Sequence, residues 1–143
     1  MIVDANLLLY AADQASPFHG QSARWLSDSL NGSTRVGLPW QSLAAFQRIS
    51  TRFQAAAEPL TPKQAWEIIA GWLDAPAAWI PVETEHHRAV LGELIGRYSV
   101  RGNLISDARL AALAIEHGVA VASADTDFAR FTDVRWINPL ASL

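Results

Sequence analysis

Four aspartates are the residues of this chain best suited to do chemistry. Asp125 and Asp127 follow the run "VAVASA" with one residue between them, Asp4 interrupts the apolar opening "MIVDANLLLY", and Asp107 stands in "SDARLAALAIEHG". Carboxylates gathered without a nearby lysine repel one another, so either one takes up a proton or a divalent cation neutralises the group. Mg²⁺ and Mn²⁺ favour oxygen ligands and leave the remaining positions to water. Such an ion holds a phosphate oxygen, orients a water and lowers the pKa of that water. Metal-dependent cleavage of a phosphodiester is the chemistry this set fits best.

Each acid also has a plainer reading. Asp107 near a helix start complements the macrodipole. Asp125 and Asp127 suit the cap of a short helix over "DTDFARF". Asp4 is harder to explain this way, because a carboxylate beside an apolar strand needs an ion partner, a hydrogen bond or a cation.

The elements that must position these acids alternate between strand and helix. Ile2–Val3, "TRVGLP", "AWIPV", "VAVAS" and "VRWI" read as five short strands. Between them, Ser16 with Pro17 marks one helix start, and Trp25, Leu26 and Leu30 carry its apolar spacing until Asn31-Gly32 ends it. Leu43, Phe46, Ile49 (or Ser50) and Phe53 mark a second helix, and Thr61 with Pro62 starts a third. Val90, Leu91, Leu94 and Ile95 form the inward face of a fourth; Ser106 caps a fifth that Gly118 stops. Residues 54–60 are expected to connect two helices as a mobile segment. Alternation of this kind predicts one α/β domain over residues 1–143, with a mostly parallel five-stranded sheet covered on both faces. Asp4 and Asp125 then follow strands and Asp107 opens a helix, so acids distant in sequence converge on the rim at the strands' carboxyl ends, where such sheets bind ligands.

Composition narrows the class. The chain has 143 residues, 50% hydrophobic and 17% charged, as in an ordinary globular domain. With no cysteine, disulfides and thiolate metal sites are excluded. No basic leader precedes the opening apolar run and no stretch is long enough to span a membrane, so a soluble, cytoplasmic protein is expected. A net charge of −3 is not that of a protein that coats nucleic acid. Yet of 11 basic residues only Lys63 is a lysine. Arginine suits bidentate phosphate contacts, although a genomic bias produces the same balance.

Three stretches, "MIVDANLLLYA", "NLISDARLAALAIEHG" and "VASADTDFARF", together with the closing "RWINPL", resemble the PIN-domain ribonucleases, specifically the VapC-type toxins of bacterial toxin–antitoxin pairs. The resemblance covers essentially the whole chain. It implies an α/β/α sandwich with Mg²⁺ (or Mn²⁺) in an acidic pocket that hydrolyses single-stranded or looped RNA. It makes Asp4, Asp107 and Asp125 the metal ligands and Asp127 an auxiliary one. Asn6 would orient Asp4 or a bound water, and Ser123 would support the site through its hydroxyl. A cognate antitoxin and a homodimer are implied as well.

One departure stands out. The family's further Glu, from the helix after strand two, aligns with Ala45 in "SLAAFQRIS". Gln41 lies one turn earlier on the same face, but an amide is a weaker cation ligand than a carboxylate. Two outcomes stay open: Asp127 completes an active site, or the chain is a silent module that binds RNA or a partner. A phosphatase with a strand-end aspartate nucleophile is a third reading. It lacks the second carboxylate, because position 6 is Asn6.

Arg48 and Arg52, one turn apart, suit RNA phosphates or a solvated face, and Arg109 is similarly open. His86 and His87 have no partner at zinc-ligand spacing and read as surface residues. Of the six tryptophans, Trp66 and Trp72 lie six apart on one helix and share no tight stripe; most of the six read as core, with one or two left to line a groove for a partner helix.

Overall fold

The computed structural model describes residues 1–53 and 58–141; most of the connection expected at 54–60 therefore lies outside the described residues. The chain runs β1 (Ile2–Val3), α1 (Ala5–Ala12), α2 (His19–Leu30), β2 (Val36–Gly37), α3 (Trp40–Thr51), α4 (Pro62–Leu73), β3 (Ala78–Trp79), α5 (His87–Tyr98), α6 (Leu104–His117), β4 (Val121–Ala122), a 3₁₀ turn (Thr126–Arg130) and β5 (Trp136–Ile137). The strands lie in the order β3-β2-β1-β4-β5. Every pairing between them is parallel.

The strands are short, but the two-residue period still divides the interior. Ile2 and Val121 face one cluster, which α5, α6 and the 3₁₀ turn complete with Leu94, Leu110, Leu113, Phe128 and Phe131. Val3 and Ala122 face the other, built with Leu7, Leu26, Leu43, Phe46 and Ile69 from α1 to α4. Helices thus cover both faces in an α/β/α sandwich, as parallel sheets require. Gly37 permits the close approach of β2 to β1, since a Cβ there would lie 3.0 Å from the Ile2 side chain and 3.2 Å from the Met1 carbonyl.

Local signals held where a single residue sufficed. Thr61 and Gln64 form the reciprocal capping box that starts α4. Gly118, at φ +65°, closes α6. Other expectations need correction. Helix α2 starts at His19 and not after Ser16, because the Ser16 hydroxyl and carbonyl hold the Phe18 and His19 amides in a preceding turn. Helix α6 starts two residues before Ser106: a turn through Arg101 and Gly102 (φ +60°) winds the chain early, with Leu104 N–H bonded to the Arg101 carbonyl. Phe53 is 91% exposed, since α3 ends at Thr51 and Arg52 is extended. Ile95 is also exposed; α5 packs through Val90, Leu91 and Leu94 instead.

The tryptophans divide. Trp72 packs edge-on against Phe46, whereas Trp40 and Trp66 are about half exposed and stack on each other at 6.4 Å. Among the described residues, no helix is long and apolar enough to cross a membrane.

Candidate metal centre

The carboxyl ends of β1 and β4 lie side by side, so Asp4 and Ser123, each the first residue beyond its strand, become neighbours across 119 positions. The Asp4 amide extends the ladder by donating to the Ala122 carbonyl at 2.9 Å. Its carboxylate is then fixed at both oxygens: Oδ1 accepts from the Ala5 amide at 2.7 Å and Oδ2 from the Ser123 hydroxyl at 2.7 Å. The first of these bonds also caps α1, a role the sequence suggested for the other aspartates.

Ser123 is fully buried and sits at the middle of this network. Its Oγ accepts from Asn6 Nδ2 at 3.1 Å and from the Asp125 amide at 3.0 Å while donating to Asp4. Its carbonyl accepts from the Trp136 indole at 2.9 Å. Asn6 is thus linked to Asp4 by hydrogen bonds through Ser123, and its Oδ1 accepts from the Ala124 amide at 3.3 Å. These bonds set the direction in which the chain leaves β4, and so where the next acids point.

Asp125 Oδ1 accepts from the Asp127 amide at 2.8 Å, capping the 3₁₀ turn and pulling the two side chains together. From the opposite layer, the first turns of α6 bring in Asp107. One carboxylate oxygen from each of Asp107, Asp125 and Asp127 lies within 4.8 Å of the others. Asp4 is not one of that group of three, but its charge raises Asp107, and the charge of Asp125 raises Asp4 in turn. Asp127 is thus one of the three acids whose carboxylate oxygens lie closest together.

The electrostatic consequence is large. The Asp107 carboxyl is pushed up to about 7, by burial first and then by the negative charges of Asp125, Asp4 and Asp127. Asp4 is also raised, because burial outweighs its bonds from Ser123 and Ala5. Arg130 opposes the shift at Asp107, with its Nη2 4.0 Å from Asp127 Oδ1. The sequence reading missed Arg130, although its place three residues after Asp127 in one tight turn is a readable signal.

The remaining candidates fall further out. Gln41 Nε2 donates to the Ser106 carbonyl at 2.7 Å, tying α3 to the start of α6 one residue before Asp107. Ser42 Oγ donates to the Val3 carbonyl at 2.7 Å and fixes the same end of α3 to β1. Arg48 and Arg52 are exposed, and neither forms an ion pair among the described residues. Arg109 is exposed with Glu83 at 4.0 Å.

His87 needs correction as a surface residue. Its Nδ1 lies 2.6 Å from Oε2 of Glu116, whose side chain is buried. Glu116 also accepts from the Thr84 amide at 2.9 Å and hydroxyl at 2.7 Å. Burial alone would raise the Glu116 pKa, but the bonds from His87 and Thr84 outweigh it and lower the value. The cluster joins the segment before α5 to the end of α6, far along that helix from Asp107. His86 is exposed, as expected.

The donor set suits a hard divalent cation. It is all carboxylate oxygen, held on one rim, with a proton retained near neutrality where the charges crowd.

The family model for the PIN domain matches residues 1–134. Ribonuclease VapC37 of Mycobacterium tuberculosis is 43% identical over 142 residues, covering 99% of each chain. Ribonuclease VapC33 of the same species is 36% identical over 140 residues, covering 98% of each. The fold also matches that of VapBC2 from Rickettsia felis, solved bound to a DNA fragment from its promoter, with a TM-score of 0.70 over 96% of each chain at 16% identity.

Proposed function

Because this chain belongs to the PIN-domain family, we propose that it is a divalent-metal-dependent endoribonuclease toxin that cuts phosphodiester bonds of RNA. The observation that carries the reading is the convergence of Asp107, Asp125 and Asp127, one carboxylate oxygen of each within 4.8 Å of the others, with burial and the neighbouring charges raising Asp107. An isolated cluster so arranged is repulsive, and the repulsion is relieved by a cation.

Asp107, Asp125 and Asp127 would hold Mg²⁺ or Mn²⁺, with Asp4 as the fourth carboxylate. When bound, the ion supplies charge against the phosphodiester oxygens and acidifies water. The protein's own part is positioning. Ser123 and Asn6 fix the Asp4 and Asp125 side, Gln41 fixes the turn that carries Asp107, and Asp107 would serve as a ligand in its carboxylate form. Arg48 and Arg52, exposed and unpaired among the described residues, would receive flanking RNA phosphates. Arg109, near Glu83, is less available for that role.

Two partners follow from the same reading. A cognate antitoxin would place a basic side chain over the acidic rim, as the resemblance to toxin–antitoxin proteins suggests, and a homodimer would form through surface helices. The second functional reading, a silent RNA- or antitoxin-binding module, rests on Ala45, which leaves α3 without a carboxylate at the position the family uses.

Purified protein with Mn²⁺ and a mixed RNA pool separates the two. Cleavage is expected in the presence of the ion, lost in EDTA and lost in Asp4→Asn. Equal cleavage by Asp4→Asn would assign the activity to a contaminant and overturn the proposal.

A further inference from the structure

The opposite end of the same strands carries a second like-charge group. A pocket of about 360 Å³ opens there, lined among others by Met1, Ser29, Ser33, Thr34, Arg35 and Arg135. Arg35 and Arg135 come from the residues just before β2 and β5, and Met1 from the residue before β1. Parallel strands force all three to the same edge.

Two facts separate this group from scattered surface arginines. First, it is uncompensated. Among the described residues, no carboxylate lies within ion-pair distance of Arg35, Arg135 or the Met1 amine. The amine is lowered from its ordinary value by burial and by the charges of Arg35 and Arg135, with no acid acting against them. Both arginines are exposed and therefore screened by water, but an anion entering this pocket meets two guanidiniums with no carboxylate of the described residues competing for them.

Second, the Arg35 guanidinium and the Arg135 backbone are held. The Arg35 guanidinium lies flat over the Trp79 ring, 3.7 Å from its centroid, which leaves its N–H edges free. His117 packs edge-on against the same indole at 5.1 Å and keeps it in place. On the other side, the Arg135 carbonyl accepts from the Val121 amide at 2.8 Å, and this rung of the β4–β5 ladder fixes the arginine backbone. Ser29, Ser33 and Thr34 are among the residues that line the same pocket.

We propose that this amino-end pocket binds a phosphate group through Arg35 and Arg135, with the serine and threonine hydroxyls as further donors. Planar guanidiniums flanked by hydroxyls match the three-dimensional array of phosphate oxygens better than a single carboxylate. The phosphate belongs either to an RNA backbone or to a free mononucleotide or phosphate ion. The site is independent of the metal centre: from Met1 to Asp4 the strand advances roughly 10 Å.

The test uses the full chain in EDTA, so that no metal recruits anions to the acidic rim. Inorganic phosphate is titrated against chloride at matched ionic strength, with melting temperature and calorimetry as readouts. Unaltered protein is expected to bind phosphate and melt higher in it. Arg135→Gln is expected to weaken binding by about tenfold or more, and Arg135→Lys to retain part of it. Arg135 is chosen because Arg35 also packs on Trp79. Should Arg135→Gln fail to fold, amide shifts of Ser33 and Thr34 in the unaltered protein during the phosphate titration give the answer instead. A second arm identifies the source. In Asp4→Asn protein, where RNA stays intact, Arg135→Gln lowers the salt slope of RNA binding by about 1 if an RNA phosphate fills the pocket, and leaves it unchanged if the ligand is a free phosphate or mononucleotide. Equal effects of phosphate and chloride on the unaltered protein, absent shifts at Ser33 and Thr34, or a phosphate response unchanged in Arg135→Gln each overturn the proposal.

Discussion

The two ends of the parallel sheet are opposites in charge and alike in logic. At the carboxyl end, four aspartates crowd until one of them holds a proton near neutrality. At the amino end, two arginines and an amine line one pocket without a carboxylate in ion-pair reach among the described residues. The difference lies in how each is held. The acids are fixed by a buried hydrogen-bond network through Ser123, whereas the arginines rest on an indole and a ladder rung. A site that must place ligand atoms around a small ion needs the first kind of support; a site for a larger anion tolerates the second.

The comparison breaks most decisively at Asp125. Asp125→Asn removes a ligand charge and is expected to cut metal-dependent RNA cleavage by more than about a hundredfold, beyond what loss of a supporting residue does. The same change should raise the melting temperature of the metal-free protein, because one repelling charge is gone. Cleavage assays and melts with and without Mn²⁺ read the two signs; lower stability in both conditions would mean that the network, not repulsion, dominates.

Ser123→Ala tests the support. It strands the Asp125 amide and one Asp4 oxygen in a buried place, at a cost of about 1–3 kcal/mol in a denaturant titration and about tenfold in cleavage. An unchanged midpoint would show that water replaces the hydroxyl.

The pH dependence of the metal-free protein follows from Asp107, whose folded value of about 7 lies above its ordinary 3.8. A raised carboxyl binds protons more tightly folded than unfolded. Its stabilising contribution is therefore complete below about 4 and is lost as pH rises through about 7. The size is on the order of 1 kcal/mol, after discounting for solvent around a partly exposed group. Melts from pH 4.5 to 8 should show stability declining over that window, less so in Asp107→Asn, with Mg²⁺ offsetting the decline at the upper end.

Smaller effects sharpen the picture. Ala45→Glu should tighten Mn²⁺ binding by about fivefold if α3 directs that position into the rim. Arg130→Ala should tighten it by about twofold at low salt, with the gain fading as salt screens the pair. Calorimetric titration measures both, and weaker binding in Arg130→Ala would make the arginine a support of Asp127 instead of a competitor for it.

How much of this was legible varies by element. Five strands, the α4 capping box and the Gly118 stop could be read directly, since each depends on a few adjacent residues. The starts of α2 and α6 could not, because turns at Ser16 and Gly102 decide them through backbone bonds that leave no strong local pattern. The aspartates were readable as a set. Their ranking was not: the place of Asp127 among the three closest acids depends on the Asp125 cap, and the coupling of Asn6 to Asp4 runs through a buried hydroxyl. The His87–Glu116 pair was missed because its members lie 29 residues apart on two helices.

By itself the sequence determined the alternation of strand and helix, the absence of thiol chemistry, and four acids whose number exceeds what helix caps require. Only the tertiary structure decided which oxygens face one another, that Arg130 shares their space, and that Arg35 and Arg135 line one pocket at the far edge. The physical reason is range. Periodicity and capping act over a few residues, while charge repulsion and burial depend on distances that the strand order sets between segments more than a hundred positions apart.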